Sequence, residues 1–73
     1  MSKLPQVSGR ECLRALEKVG FYFVRQTGSH IYMRRDEPFT QISVPNHRVL
    51  KKGMLSRIIR DAQLSVDEFL DLL

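Results

Sequence analysis

Apolar residues recur along this chain with two periods, and each period predicts an element. Cys12, Leu13, Leu16 and Val19 follow the roughly 3.6-residue repeat of a helix, while Arg10, Arg14, Glu17 and Lys18 point elsewhere. Ser8 is a good N-cap and Glu11, three residues on, completes a capping box. Gly20 sits where a left-handed residue ends a helix, so the first helix is predicted over residues 9–19. The aromatic and β-branched run Phe21-Tyr22-Phe23-Val24-Arg25-Gln26 then reads as a strand, and Thr27-Gly28 as a turn. Residues 29–34 alternate, with Ile31 and Met33 on one face and His30, Tyr32 and Arg34 on the other. After the polar turn at residues 35–38, residues 39–44 form a third strand with Ile42 and Val44 on the same side, and Pro45 ends it. Short connections make the three strands an antiparallel meander. A polar loop leads to Gly53, which opens a helix with the stripe Leu55, Ile58, Ile59 and Ala62. Ser65 with Glu68 caps a short last helix.

The predicted order is α-β-β-β-α-α. The fold class is α+β, a three-stranded antiparallel sheet with helices packed on one face. Ile31, Met33, Ile42 and Val44 face the helices, which leaves His30, Tyr32 and Arg34 on the open face. Residues 1–7, which contain Pro5, are expected as a flexible lead-in to a single domain over residues 8–73.

Length and composition narrow the function classes. At 73 residues the chain has room for one small domain. Its 42% hydrophobic and 27% charged residues are those of a folded chain, not a disordered one. No apolar run approaches the roughly 20 residues of a membrane span, and the first residues lack the apolar core of a secretory signal. The lone Cys12 excludes a disulfide scaffold or zinc finger, lies on the apolar stripe of the first helix, and fits a reducing cytoplasm. Asp36 and Glu37 lack the further carboxylates a magnesium site gathers, so metal-free chemistry without a small-molecule cofactor is expected.

The formal net charge is +4, unevenly spread. All twelve Lys and Arg lie in residues 1–60 against four acids; the last thirteen residues carry four acids and no base. A strongly basic body is the footprint of a polyanion binder. Lys51 and Lys52, beside Gly53 at the start of a helix, suit a phosphate clamp, because free backbone N–H groups and a positive dipole end add to their charge. Arg25, Arg34, Arg35 and Arg48 are further donors to phosphate. Arg57 and Arg60, off the apolar stripe, are expected to face solvent or an acidic partner. Tyr32 shares its face with His30 and is the best candidate to stack on a base; Tyr22 and Phe23 are others, and Phe21 is assigned to the core. Gly28 lets a backbone approach a phosphate closely, and Ser29 offers a hydroxyl. His30 carries the one side-chain type whose ordinary pKa, about 6.5, suits both proton removal and proton donation. The alternative is a surface histidine without a role. His47, in the loop after Pro45, is a complementary acid, a phosphate ligand, or a residue that stabilises its turn; the last is preferred.

Taken together, Gly20-Phe21, Arg25-Gln26-Thr27-Gly28-Ser29-His30, Val44-Pro45-Asn46-His47, Leu50-Lys51-Lys52-Gly53 and Ile58-Ile59-Arg60-Asp61-Ala62 resemble the HicA family of toxins. The resemblance runs from about Ser8 to Phe69, and its specificity lies in the combination of three short motifs, Gly28-Ser29-His30, Val44-Pro45-Asn46-His47 and Lys51-Lys52-Gly53. It implies a double-stranded-RNA-binding-domain-like fold, cleavage of mRNA, inhibition of translation and neutralisation by a HicB-type antitoxin. It also implies that His30 is catalytic; Gly28, Ser29, Arg25, Tyr32, Arg34, Lys51 and Lys52, read above from their chemistry, are expected to hold RNA. Two positions depart from the family's pattern. Met54 stands where Thr is common, and Gln63 where Gly often ends the second helix, so a longer helix or a different exit angle is expected there. The alternative function is a module of the same fold that binds RNA without cutting it.

Overall fold

The computed structural model describes residues 3–73. The elements follow the order α1 (Gly9–Glu17), β1 (Tyr22–Thr27), β2 (His30–Asp36), β3 (Phe39–Pro45), α2 (Lys52–Asp61) and α3 (Val66–Leu72). The strands form one antiparallel sheet in the order β1-β2-β3. This is the predicted α+β architecture.

Both predicted capping boxes are formed. The Ser8 hydroxyl accepts from the Glu11 N–H (3.1 Å) and the Glu11 carboxylate accepts from the Ser8 N–H (2.9 Å). Ser65 and Glu68 repeat the pattern at 3.0 and 2.8 Å. Each box satisfies two otherwise orphaned donors and contributes about 1 kcal/mol. After α1 the chain reverses at Gly20, whose φ of 96° is left-handed as expected, and the helix stops two residues short of the predicted end. Of the two outcomes expected at Gln63, the longer helix does not occur. Gln63 itself adopts φ 63°, so α2 ends at Asp61 and is not lengthened. Arg35 stabilises this end: its guanidinium donates to the Gln63 side chain (3.3 Å) and the Ala62 carbonyl (3.5 Å).

Ile31, Met33, Ile42 and Val44 project from the sheet into the core beside Cys12, Leu16, Leu55, Ile58 and Phe69. Phe21, just ahead of β1, is 3% exposed, in accord with its assignment to the core. Within the stretch expected as a lead-in, Val7 is buried and its carbonyl accepts from the Leu50 N–H (2.8 Å); Met1 and Ser2 lie outside the described residues. No helix among the described residues is long and apolar enough to cross a membrane.

Cys12 is fully buried, and burial pushes its thiol up from 9.0 to about 12. The unfolded thiol ionises near pH 9 while the folded one keeps its proton. The folded state therefore binds more protons across that interval, and stability falls as pH rises through it. Relative to Cys12→Ala, the wild type is expected to lose urea resistance between pH 9 and 11, with no such difference between pH 6 and 8.

Candidate functional site

The site begins with the alternation of β2, which turns His30, Tyr32 and Arg34 to the open face. The pairing register sets each of them in a row across the sheet: Tyr22–Arg34–Gln41, Arg25–Tyr32–Ser43 and Thr27–His30–Pro45. Plain alternation would have put Arg25 opposite Ile31, on the core side. A bulge at Val24, between Phe23 and Arg25, moves Arg25 opposite Tyr32 instead. Its guanidinium lies 4.8 Å from the centre of the Tyr32 ring.

His30 is the first residue of β2 and is exposed. The turn before it needs a left-handed residue, supplied by Gly28 at φ 59°, and nothing stands within 4 Å of the place a Cβ would occupy. The Ser29 carbonyl accepts from the Asn46 N–H (2.6 Å), which fastens the loop after β3 beside His30. Two further backbone bonds hold that loop, from the Gly9 N–H to the His47 carbonyl (2.8 Å) and from Leu50 to Val7. Gly9 admits this approach because a Cβ there would collide with the Pro45 carbonyl oxygen. None of these bonds uses the His47 imidazole, so the turn is stabilised by backbone groups and not by the side chain preferred for that role from sequence.

Two clefts meet at His30. The first, of about 310 Å³, runs between the edge of β3 and α2, lined by Gln41, Ser43, Met54, Arg57 and Asp61 with His30. The second, of about 280 Å³, is lined by His30, His47, Val49, Lys51 and Met54. Lys51 occupies the N-cap position of α2 without a side-chain cap, so the first N–H groups of the helix keep their donor capacity. Arg57 points into the first cleft, 3.8 Å from the Asp61 carboxylate, with its side chain 70% exposed.

The predicted site residues are therefore not equivalent. His30 and Lys51 line a common cleft, with Ser29 next to His30 in the chain. Arg25 and Tyr32 stand one row away, beside Gln41 and Ser43, which they share with the first cleft. Lys52 is exposed at the start of α2, and Gly28 at the turn. Arg34 is two rows from His30 and already engaged: its Nε donates to the Tyr22 hydroxyl (2.8 Å), which donates to Asp36 (2.8 Å). These partners raise its pKa, the Tyr22 hydrogen bond foremost. Arg35, expected among the phosphate donors, stacks over Phe21 at 4.6 Å and clamps the end of α2. Two cleft-lining residues were not assigned to the site from sequence: His47, weighed as an acid or phosphate ligand but preferred as a turn residue, and Arg57, expected to face solvent or an acidic partner. For Arg57 the signal was present: Met54, Arg57 and Asp61 are spaced by three and four residues, which is one helix face.

An imidazole thus stands where two clefts meet, with an ammonium lining one and a guanidinium the other, a set of groups that suits a phosphate diester. The family model described as HicA toxin of bacterial toxin-antitoxin matches residues 9–64, most of the chain, and spans every one of these residues. The chain belongs to the HicA toxin family. Membership makes it the toxin of a toxin–antitoxin pair, so an antitoxin is its partner. No curated protein matches it. Within this HicA chain, the three motifs that suggested the family fall at one end of the sheet: the turn before β2, the loop after β3 and the start of α2.

Proposed function

We propose that this toxin is an endoribonuclease that cleaves mRNA and so inhibits translation, with His30 as its general acid–base residue. The observation that carries the reading is the exposed imidazole of His30 at the junction of two clefts lined by Lys51 and Arg57. A ribose 2′-hydroxyl gives its proton to His30 and attacks the adjacent phosphorus; the P–O5′ bond breaks as O5′ takes up a proton, leaving a cyclic phosphate and a 5′-hydroxyl. Imidazole moves these protons without a metal, and Lys51 and Arg57 offset the charge that builds on the phosphoryl oxygens. Gly28, Ser29, Lys52 and the Arg25–Tyr32 stack hold the flanking nucleotides, the stack by offering a π face to a base. Arg34, tied to Tyr22 and Asp36, supplies field more than contact. A HicB-type antitoxin neutralises the toxin by covering this basic surface, in the cytoplasm where mRNA is found.

The clamp is tested by Lys51→Glu with Lys52→Glu. This variant is expected to bind RNA far more weakly than wild type at moderate salt in a gel-shift titration. The slope of log affinity against log salt should fall by about 1 for each lysine that no longer neutralises a phosphate. Unchanged affinity and slope would remove both lysines from the interface. RNA that is bound by the wild type but never cut would favour the alternative, a binding module of the same fold.

A further inference from the structure

We infer that His47 is a second catalytic residue, the general acid that protonates the leaving 5′-oxygen while His30 removes the 2′ proton. The inference rests on the ribonuclease reading above and adds a residue to it. In a displacement at phosphorus the attacking and leaving oxygens lie on opposite sides of the phosphorus atom, so one imidazole cannot serve both in a single step. A second proton donor is needed across the phosphate, and His47 is the only other histidine in the chain. His30 and His47 line the same cleft, with Lys51 between the loop and α2 to hold the phosphate. Both rings are exposed. The loop that presents His47 is pinned at three places through its backbone, to Ser29, Gly9 and Val7, which fixes the ring's origin relative to β2 without engaging the ring itself. Such pinning is what a group that must meet a reacting atom requires. The charged groups around the two clefts are Lys51, Arg57 and Asp61.

The proton balance closes. The 2′-oxygen bonds to phosphorus as its proton passes to His30. The P–O5′ bond breaks as the His47 proton passes to O5′. Water exchange then returns each ring to its starting state.

The test uses wild type, His30→Ala and His47→Ala on a short RNA cut by the wild type, and on the same RNA with sulfur in place of the leaving 5′-oxygen. A thiolate departs without protonation, so only the general acid becomes dispensable. On the oxygen substrate His47→Ala is expected to be about 10²–10⁴-fold slower than wild type. On the sulfur substrate it should recover the wild-type rate, while His30→Ala stays slow on both. A His47→Ala variant as fast as wild type on oxygen, or equally slow on both, overturns the assignment; the second result would leave His47 a binding or structural role. Circular dichroism and thermal unfolding, with His47→Gln alongside, confirm that the variants fold. If the wild type cuts neither substrate, the ribonuclease reading itself fails, an outcome distinct from failure of His47 alone.

Discussion

Replacing His30 with Ala is expected to abolish RNA cleavage and leave RNA binding and folding intact. The three effects separate because of where His30 lies. Its side chain is exposed at the start of β2, outside the cluster of buried apolar residues, so truncation opens no cavity. The charges proposed to hold phosphate are on Lys51, Lys52, Arg25 and Arg57; Arg25 packs on Tyr32 and Arg57 pairs with Asp61, neither through His30, so affinity should change little. Loss of a general acid–base group costs about 10²–10⁴-fold in rate, and more where that group is essential to forming the nucleophile. In cells, induction of the wild type without its antitoxin should arrest growth, and induction of His30→Ala should not. Growth arrest by His30→Ala at equal protein levels would move catalysis to another residue.

Gly9→Ala is expected to damage both stability and cleavage, although Gly9 is remote in sequence from every predicted site residue. A methyl group there meets the Pro45 carbonyl oxygen and stands 3.1 Å from the Asn46 Cα, both backbone atoms that cannot rotate away. The start of α1 or the loop after β3 must shift, and the Gly9–His47 hydrogen bond is broken or stretched. Overpacking of this kind costs about 1–3 kcal/mol. In a domain this small each kcal/mol lowers the melting temperature by about 4–8 °C, which a thermal unfolding curve resolves easily. Gly53→Ala is the control: nothing lies within 4 Å of its added methyl and α2 gains a better helix former, so its melting temperature should hold or rise. Equal stability of Gly9→Ala and wild type would show that the loop yields freely and is not held rigid beside His30.

Local chemistry was legible in the sequence; long-range consequences were not. Ser8 with Glu11, Ser65 with Glu68, and Gly20 each act within a few residues, and each behaves as its residue type dictates. The two-residue alternation of β2 placed Ile31 and Met33 inside and His30 and Tyr32 outside, because one face had to be buried. The bulge at Val24 has no local signal, since it answers to the register of β1 against β2, yet it alone carries Arg25 to the side of Tyr32. Arg35 looked like any surface base until Phe21 and the end of α2 were placed against it. Gln63 takes a left-handed conformation without being glycine, with its side chain accepting from Arg35 some 28 residues away in sequence. The juxtaposition of His47 with His30 depends on three backbone bonds that join segments far apart in the chain.

Whether an imidazole at the junction of these clefts cuts RNA is decided by incubating the purified toxin, freed of antitoxin, with a defined mRNA and a chelator, alongside His30→Ala. Discrete fragments from the wild type alone, ending in cyclic phosphates, are expected. Intact mRNA from both proteins, with the RNA still bound, would refute His30 catalysis and leave a toxin that acts by occupying RNA.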